Sequence, residues 1–371
     1  MDEQIQDRYD ELADQNEIGI CHHVYHLLPE KGGEQEVCSS SQRRGPRLLP
    51  LAALGCIIAY YAGFGKKNRV ARNHGDGSCG ENATWTLDGD TLTISGTGAT
   101  ADWKDHGSAD DGMHCGAEAH DGDTTCEKAN CMLNRPWQSY IDSITKIVIE
   151  EGITAIGSDS FNGLTAVTEI ELPDSLTEIG IGAFCFTAIT EVTIPANVST
   201  MGYSAFYGCG KLESVFFAGN KVREIGIYTF AKCYALKNLE FPEGLTAIRL
   251  GALQECRSLE ELVFPESLTV LEQSVLGDSS GKGTPNTTLK KVVVKSDVAI
   301  PGFMFCRCTA LETVDLSDKV TEIGEKAFWE CTDLKTVDGF DAVSTIGREA
   351  FQGCSSLENI QFGTQLTTIG Q

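Results

Sequence analysis

From about residue 141 to the end, apolar positions recur with a period near 23 residues. Aligned on a phenylalanine, successive units read Ile156-Gly157 then Phe161, Ile179-Gly180 then Phe184, Met201-Gly202 then Phe206, and Ile225-Gly226 then Phe230. A fifth unit carries Ile248 and puts Leu253 in the phenylalanine slot, and later units carry Phe305, Phe328 and Phe351. The last begins at Leu366 and is cut short. A fixed period in this range predicts a solenoid, in which each unit is one coil. Glycine in its slot allows positive φ or close approach of a neighbouring backbone. Six residues after the phenylalanine a leucine opens an alternating run, as in Leu236-x-x-Leu239-x-Phe241-Pro242. Alternation sends one face inward and the other to solvent, and the proline ends pairing by lacking a donor. One short parallel strand per coil is expected, stacked into a wall.

Upstream the pattern changes three times. Residues 1–47 are polar, with seven acids before Ile20 and arginines at 43, 44 and 47, and read as a mostly disordered tail. Residues 48–65, LLPLAALGCIIAYYAGFG, hold no charge. Eighteen residues reach about 27 Å as a helix, enough to cross a bilayer core. A single-pass transmembrane helix is the preferred reading, over a late signal peptide or a buried segment. Residues 73–140 form a small β module: TWTLDGDTLTIS alternates around Asp88-Gly89-Asp90 and predicts a hairpin. An acidic loop carrying Cys and His occupies 101–135.

The repeat consensus, I-G-x-x-A-F-x-x-C-x-x-L-x-x-V-x-I-P, resembles the BspA-type leucine-rich repeat surface protein family over residues 141–371. The hairpin segment and PWQSYIDSITKIVIEEGITAIG resemble the module that precedes such repeats. The resemblance implies an α/β-type repeat solenoid, located extracellularly or at a surface, that binds proteins or adheres to cells and has no shared catalytic residues. The acidic loop and an insertion at Gly277–Thr288 depart from the family pattern.

Composition narrows the function. The net charge of −24 excludes a nucleic-acid binder, which needs a basic surface. Of 15 cysteines, Cys209, Cys233, Cys256, Cys308, Cys331 and Cys354 all lie three residues after the phenylalanine slot. A fixed phase predicts a buried ladder of reduced thiols that serves packing. Leu164 and Thr187 fill that slot in the first two units. Cys79, Cys115, Cys126 and Cys131 remain as disulfide candidates. With His106, His114 and His120, the loop cysteines leave reduced thiols or a metal site open.

No nucleophile elbow, phosphate loop or zinc-protease helix is present, so neither an enzyme nor a cofactor is expected. Sequons at Asn82, Asn197 and Asn286 follow the apolar run, and Asn286, in the insertion, is expected to be the most accessible. The outward row of the strands runs from Glu171 and Thr193 through Phe216, Glu240, Val263 and Val293 to Asp315 and Asp338. An apolar middle with an acidic rim suits a protein ligand or a cell-surface or matrix component. The alternative is plain strand propensity. The expectation is therefore a membrane-anchored, non-enzymatic recognition or adhesion protein. Its rivals are an intracellular scaffold and a fragment whose repeats target a catalytic domain outside this sequence.

Overall fold

The computed structural model describes residues 74–103, 135–277, 286–358 and 360–371. The tail, the apolar run 48–65, the loop residues Cys115, Cys126 and Cys131 and insertion residues 278–285 lie outside the described residues. Ala83–Asp88 and Thr91–Gly96 form the expected hairpin, with Gly89 at φ 66° in the turn. His74–Ser78 joins on the outer side, antiparallel. On the inner side Thr91–Ile94 pairs in parallel with Lys146–Ile149, the first strand of the repeats, so module and array share one sheet.

Each coil then contributes strands to two walls, where sequence reading predicted one. The first wall holds strands such as Glu191–Ile194, Ser214–Phe217 and Glu261–Phe264. Their buried–exposed alternation follows the apolar alternation of the sequence. The second wall holds two-residue strands such as Glu178–Ile179 and Thr200–Met201. All pairing within the array is parallel, between one coil and the next. The ladders lapse in places. On the first wall they stop between Glu169–Glu171 and Glu191–Ile194, and again between Asn238–Leu239 and Glu261–Phe264. On the second wall they stop between Thr200–Met201 and Glu224–Ile225, and between Val270–Leu271 and Ile300. Wherever one wall lapses, the other is paired: Met201 with Ile179, Val215 with Val192, Ile248 with Leu271, and Leu262 with Val292.

The α/β class is corrected to a β-solenoid. Among the described residues the helical structure is one 3-10 turn, Gln138–Tyr140. The reason lies in the segment around each phenylalanine. The residues two before and two after it adopt left-handed φ: Asp159, Ser204, Tyr228, Ser274, Phe303, Lys326 and Glu349 on one side, and Phe186, Lys232, Glu255, Arg307 and Glu330 on the other. A left-handed residue breaks a right-handed helix and costs about 1–2 kcal/mol when it is not glycine. What it gains is direction. The amides of Gly182, Phe184 and Phe186 donate to the carbonyls of Tyr203, Ala205 and Tyr207 on the next coil, at 2.8–2.9 Å. The intervening amides of Ala183, Cys185 and Thr187 bond within their own coil, at 3.0–3.3 Å.

The glycine that follows the isoleucine serves close approach and does not take positive φ. A Cβ on Gly202 would lie 2.4 Å from the Ile181 amide nitrogen, and one on Gly324 2.4 Å from that of Gly302. The phenylalanines stack inside. Ring centroids lie 5.3–5.5 Å apart from Phe161 through Phe184 and Phe206 to Phe230, and 5.1–5.3 Å from Phe305 through Phe328 to Phe351. Leu253 and Leu276 interrupt the column, both buried.

The module closes the first coil. Trp137 stacks on Phe161 at 5.6 Å, and its indole N–H donates to the Ser160 carbonyl. Arg135, 5% exposed, donates through Nη1 to the carbonyls of Asp159, Ser160 and Asn162. The Ser160 and Asn162 carbonyls stand where Ala205 and Tyr207 accept amides from the preceding coil, and here the module supplies the donors, as the Trp103 amide does for the Ser158 carbonyl. Burial lowers the Arg135 pKa to about 10, and nearby Asp159 opposes that shift.

Two substitutions test this account by denaturation midpoint. Gly202→Ala should destabilise by about 1–3 kcal/mol, because backbone and not a movable side chain blocks the new methyl. Ser274→Gly should stabilise by about 1 kcal/mol, since it relieves a left-handed serine and removes a buried hydroxyl with no hydrogen-bond partner among the described residues.

Candidate functional site

The coil geometry sorts the expected site residues. On the outer face of the first wall Phe216 is 47% exposed and lies in register with Thr193. Val263 is 36% exposed and pairs in register with half-buried Val293. Val293 in turn faces Asp315, and Asp315 faces Asp338. Glu240 is exposed and sits beyond the end of its strand, at the point where this wall's ladder lapses. The four residues therefore form two apolar spots, Phe216 and the Val263–Val293 pair, with Glu240 between them and acids beyond.

The cysteine slot does more than pack. Cys209, Cys233, Cys256, Cys331 and Cys354 each donate S–H to the carbonyl of the phenylalanine one coil earlier, at 3.1–3.3 Å. Thr187, in the same slot, donates to its own coil's Phe184 carbonyl and contacts Cys209 Sγ. Burial pushes the thiols of Cys209 and Cys308 up to about 12. Of the disulfide candidates, Cys79 is a buried free thiol, pushed up to about 11 by burial. It lines a cleft of about 510 Å³ with Asn82, Thr100 and Trp103. Its proposed partners and the loop histidines lie outside the described residues, and no metal-binding cluster occurs among those that are described.

The sequons divide. Asn82 and Asn197 are exposed, and Asn197 bonds Asp174 and Lys221. Asn286 is 2% exposed, which overturns its expected accessibility. It occupies the cysteine slot of the sixth coil. Its Nδ2 donates to the Cys256 and Leu259 carbonyls, and its Oδ1 accepts from the Thr288 and Leu289 amides. The expectation of a single-pass membrane protein is also corrected. Among the described residues no helix is long and apolar enough to cross a membrane.

Sequence reading missed a second surface, at the coil corners. Phe186, Tyr203 and Tyr234 are 47%, 40% and 38% exposed. Phe186 meets Tyr207 edge-to-face at 5.4 Å, and Tyr207 meets Tyr228 at 6.4 Å. Lys232 lies over the Tyr207 ring at 5.3 Å and Arg257 over the Tyr234 ring at 4.4 Å. Each ring lies against a glycine of another coil: Phe186 on Gly208, Tyr203 on Gly226, Tyr228 on Gly251, and Tyr234 on Gly210. The signal was present in the alignment of the units. Other coils carry Asn162, Gly163, Gln352 and Gly353 in the slots of Tyr207 and Phe186.

Parallel strands at a fixed period and an inward leucine set define a leucine-rich-repeat solenoid. Residues 138–220 and 285–371 match the BspA type Leucine rich repeat region in 6 copies. These two stretches are leucine-rich repeats of the BspA type. The unmatched stretch between them contains Arg249 and Glu272 in the glycine slot and Leu253 in the phenylalanine slot.

Similar solved structures include a leucine-rich repeat protein from Eubacterium ventriosum, 19% identical, covering 80% of this chain and 93% of that chain with TM-score 0.37. Another, from Bacteroides ovatus, is 28% identical and covers 61% of this chain and 75% of that chain with TM-score 0.36. The pneumococcal vaccine antigen PcpA is 18% identical, with coverage of 81% and 78% and TM-score 0.43. No curated protein matches the chain.

The thiol ladder makes a pH prediction. A thiol whose folded pKa is raised contributes fully below its unfolded value and loses that contribution as pH rises toward the folded one. Stability should therefore fall between the ordinary 9.0 and about 12. Cys209→Thr with Cys308→Thr, which repeats the hydroxyl that Thr187 places in this slot, should flatten that fall in urea melts at pH 8, 9 and 10. An identical slope in the double variant would remove these two thiols as its cause.

Proposed function

We propose that this protein is a non-enzymatic recognition or adhesion protein that binds a protein ligand or a cell-surface or matrix component through the outer face of its first wall. The observation that carries the reading is the Val263–Val293 pair. Two apolar side chains stand side by side on a solvent-facing sheet, and Phe216 stands exposed two coils before them. The next rungs are Asp315 and Asp338. Apolar centres inside a charged rim are the usual anatomy of a protein contact. A repeat array supports this use because it presents a long rigid face whose side chains vary freely while the inward set stays fixed. The BspA-type repeats support it too.

The test is adhesion of beads carrying the whole chain to immobilised matrix proteins and mucin. Phe216→Ser, Val263→Ser and Val293→Ser together should reduce adhesion at least tenfold while the far-ultraviolet circular dichroism stays unchanged. A triple variant that adheres like the parent would remove this face from the function.

A further inference from the structure

The aromatic ridge at the coil corners is built against local preference. Elsewhere in the array its left-handed slots hold glycine, polar or charged residues, as at Gly163, Ser204, Glu330 and Glu349, and one further aromatic, Phe303. Phe186 and Tyr228 nevertheless take φ of 58° and 53° there. A bulky side chain in left-handed backbone is an outlier that surrounding structure must enforce. The enforcement is visible: both rings lie over a glycine of the following coil, which alone leaves the space. Yet the ridge gains little burial, because Phe186, Tyr203 and Tyr234 stay more than a third exposed. Packing alone does not account for Phe186, a ring held in a left-handed slot and left 47% exposed.

Charge adds direction. The corners span 181–189, 203–211, 227–235 and 250–258, and their cations are Lys211, Lys232 and Arg257. Their single acid is Glu255, which pairs with Arg257. A cationic excess therefore sits on the most aromatic part of a chain whose net charge is −24. Lys232 and Arg257 are held over rings, which keeps both cations beside exposed aromatic surface. Tyrosine and arginine together are the residue types that dominate protein contacts.

We propose that this ridge binds a short acidic peptide segment of a protein partner, with aromatic or apolar side chains among its acids. The ridge crosses three coil spacings of about 4.8 Å each, so about four extended residues would span it. This surface is separate from the first-wall face proposed above and stands or falls independently of it.

The experiment uses the whole chain and a fluorescein-labelled Glu/Tyr copolymer. A Lys/Tyr copolymer and polygalacturonate serve as controls. The Glu/Tyr copolymer should bind, the Lys/Tyr copolymer should not, and binding should weaken as salt rises. Phe186→Gly with Tyr203→Ser and Tyr234→Ser should lower affinity at least tenfold. Glycine suits the left-handed slot, so the fold should hold. If that variant fails to fold, Lys211→Ala with Lys232→Ala leaves the core intact and should lower affinity and flatten the salt dependence. The Phe216, Val263 and Val293 serine variant should bind the copolymer like the parent, which separates the two surfaces. Unchanged binding in both ridge variants would overturn the proposal. So would polygalacturonate binding as tightly as the copolymer and competing with it, which would assign the ridge to an anionic glycan.

Discussion

The solenoid depends on one constraint: the backbone amides around each phenylalanine must alternate between bonding their own coil and bonding the next. Directing every second amide along the array requires left-handed residues on both sides of the phenylalanine. Those residues exclude a helix, hold the coils within hydrogen-bond distance, and make the following glycines necessary where backbones nearly touch. An ordinary α-helix satisfies its own amides and leaves its neighbour untouched. Here the turn itself is cohesive, and a coil in isolation would leave half its turn amides without partners.

The inner columns follow from that spacing. Rings 5.1–5.5 Å apart stack because the turn ladder fixes their distance, and the cysteine below each ring reaches the previous phenylalanine carbonyl for the same reason. From the second coil onward the slot asks for a small donor, while in the first coil Leu164 fills it. Cysteine, threonine and asparagine all meet that demand, at Cys233, Thr187 and Asn286. Arg135 and Trp137 meet its counterpart at the first coil, where carbonyls need donors and no earlier coil exists. Arg249 stands in the glycine slot and joins Glu224 and Glu272 at 2.7 and 3.1 Å, spanning three coils where the repeat departs from its consensus.

Much of this was legible in the sequence. The period, the phenylalanine column, the hairpin and the first wall follow from side-chain spacing, which one chain displays directly. The second wall did not, because a strand as short as Glu178–Ile179 has no alternation to read. The left-handed slots were hidden for a different reason. Residues as unlike as Asp159, Tyr228, Lys326 and Glu349 share one backbone conformation, imposed by the neighbouring coil and not by their own preference. Asn286 misled because its Asn-Thr-Thr triplet suggests a surface acceptor. Its position three residues before Leu289, which is the cysteine phase, was the better guide. The aromatic corner was overlooked because residues such as Phe186 and Tyr228 stand out only when the units are compared slot by slot, and only the fold brings their rings onto one ridge.

The offset of the ladder lapses gives the array a mechanical character. A break in one wall always faces an intact ladder on the other, so no flat plane between two coils is free of strand pairing. Such an arrangement is like bonded brickwork, where joints in successive courses never align. At each lapse the coils stay joined by the opposite wall and by the turn amides, such as that of Phe186 to the Tyr207 carbonyl. An array built this way can bend at a lapse without parting there.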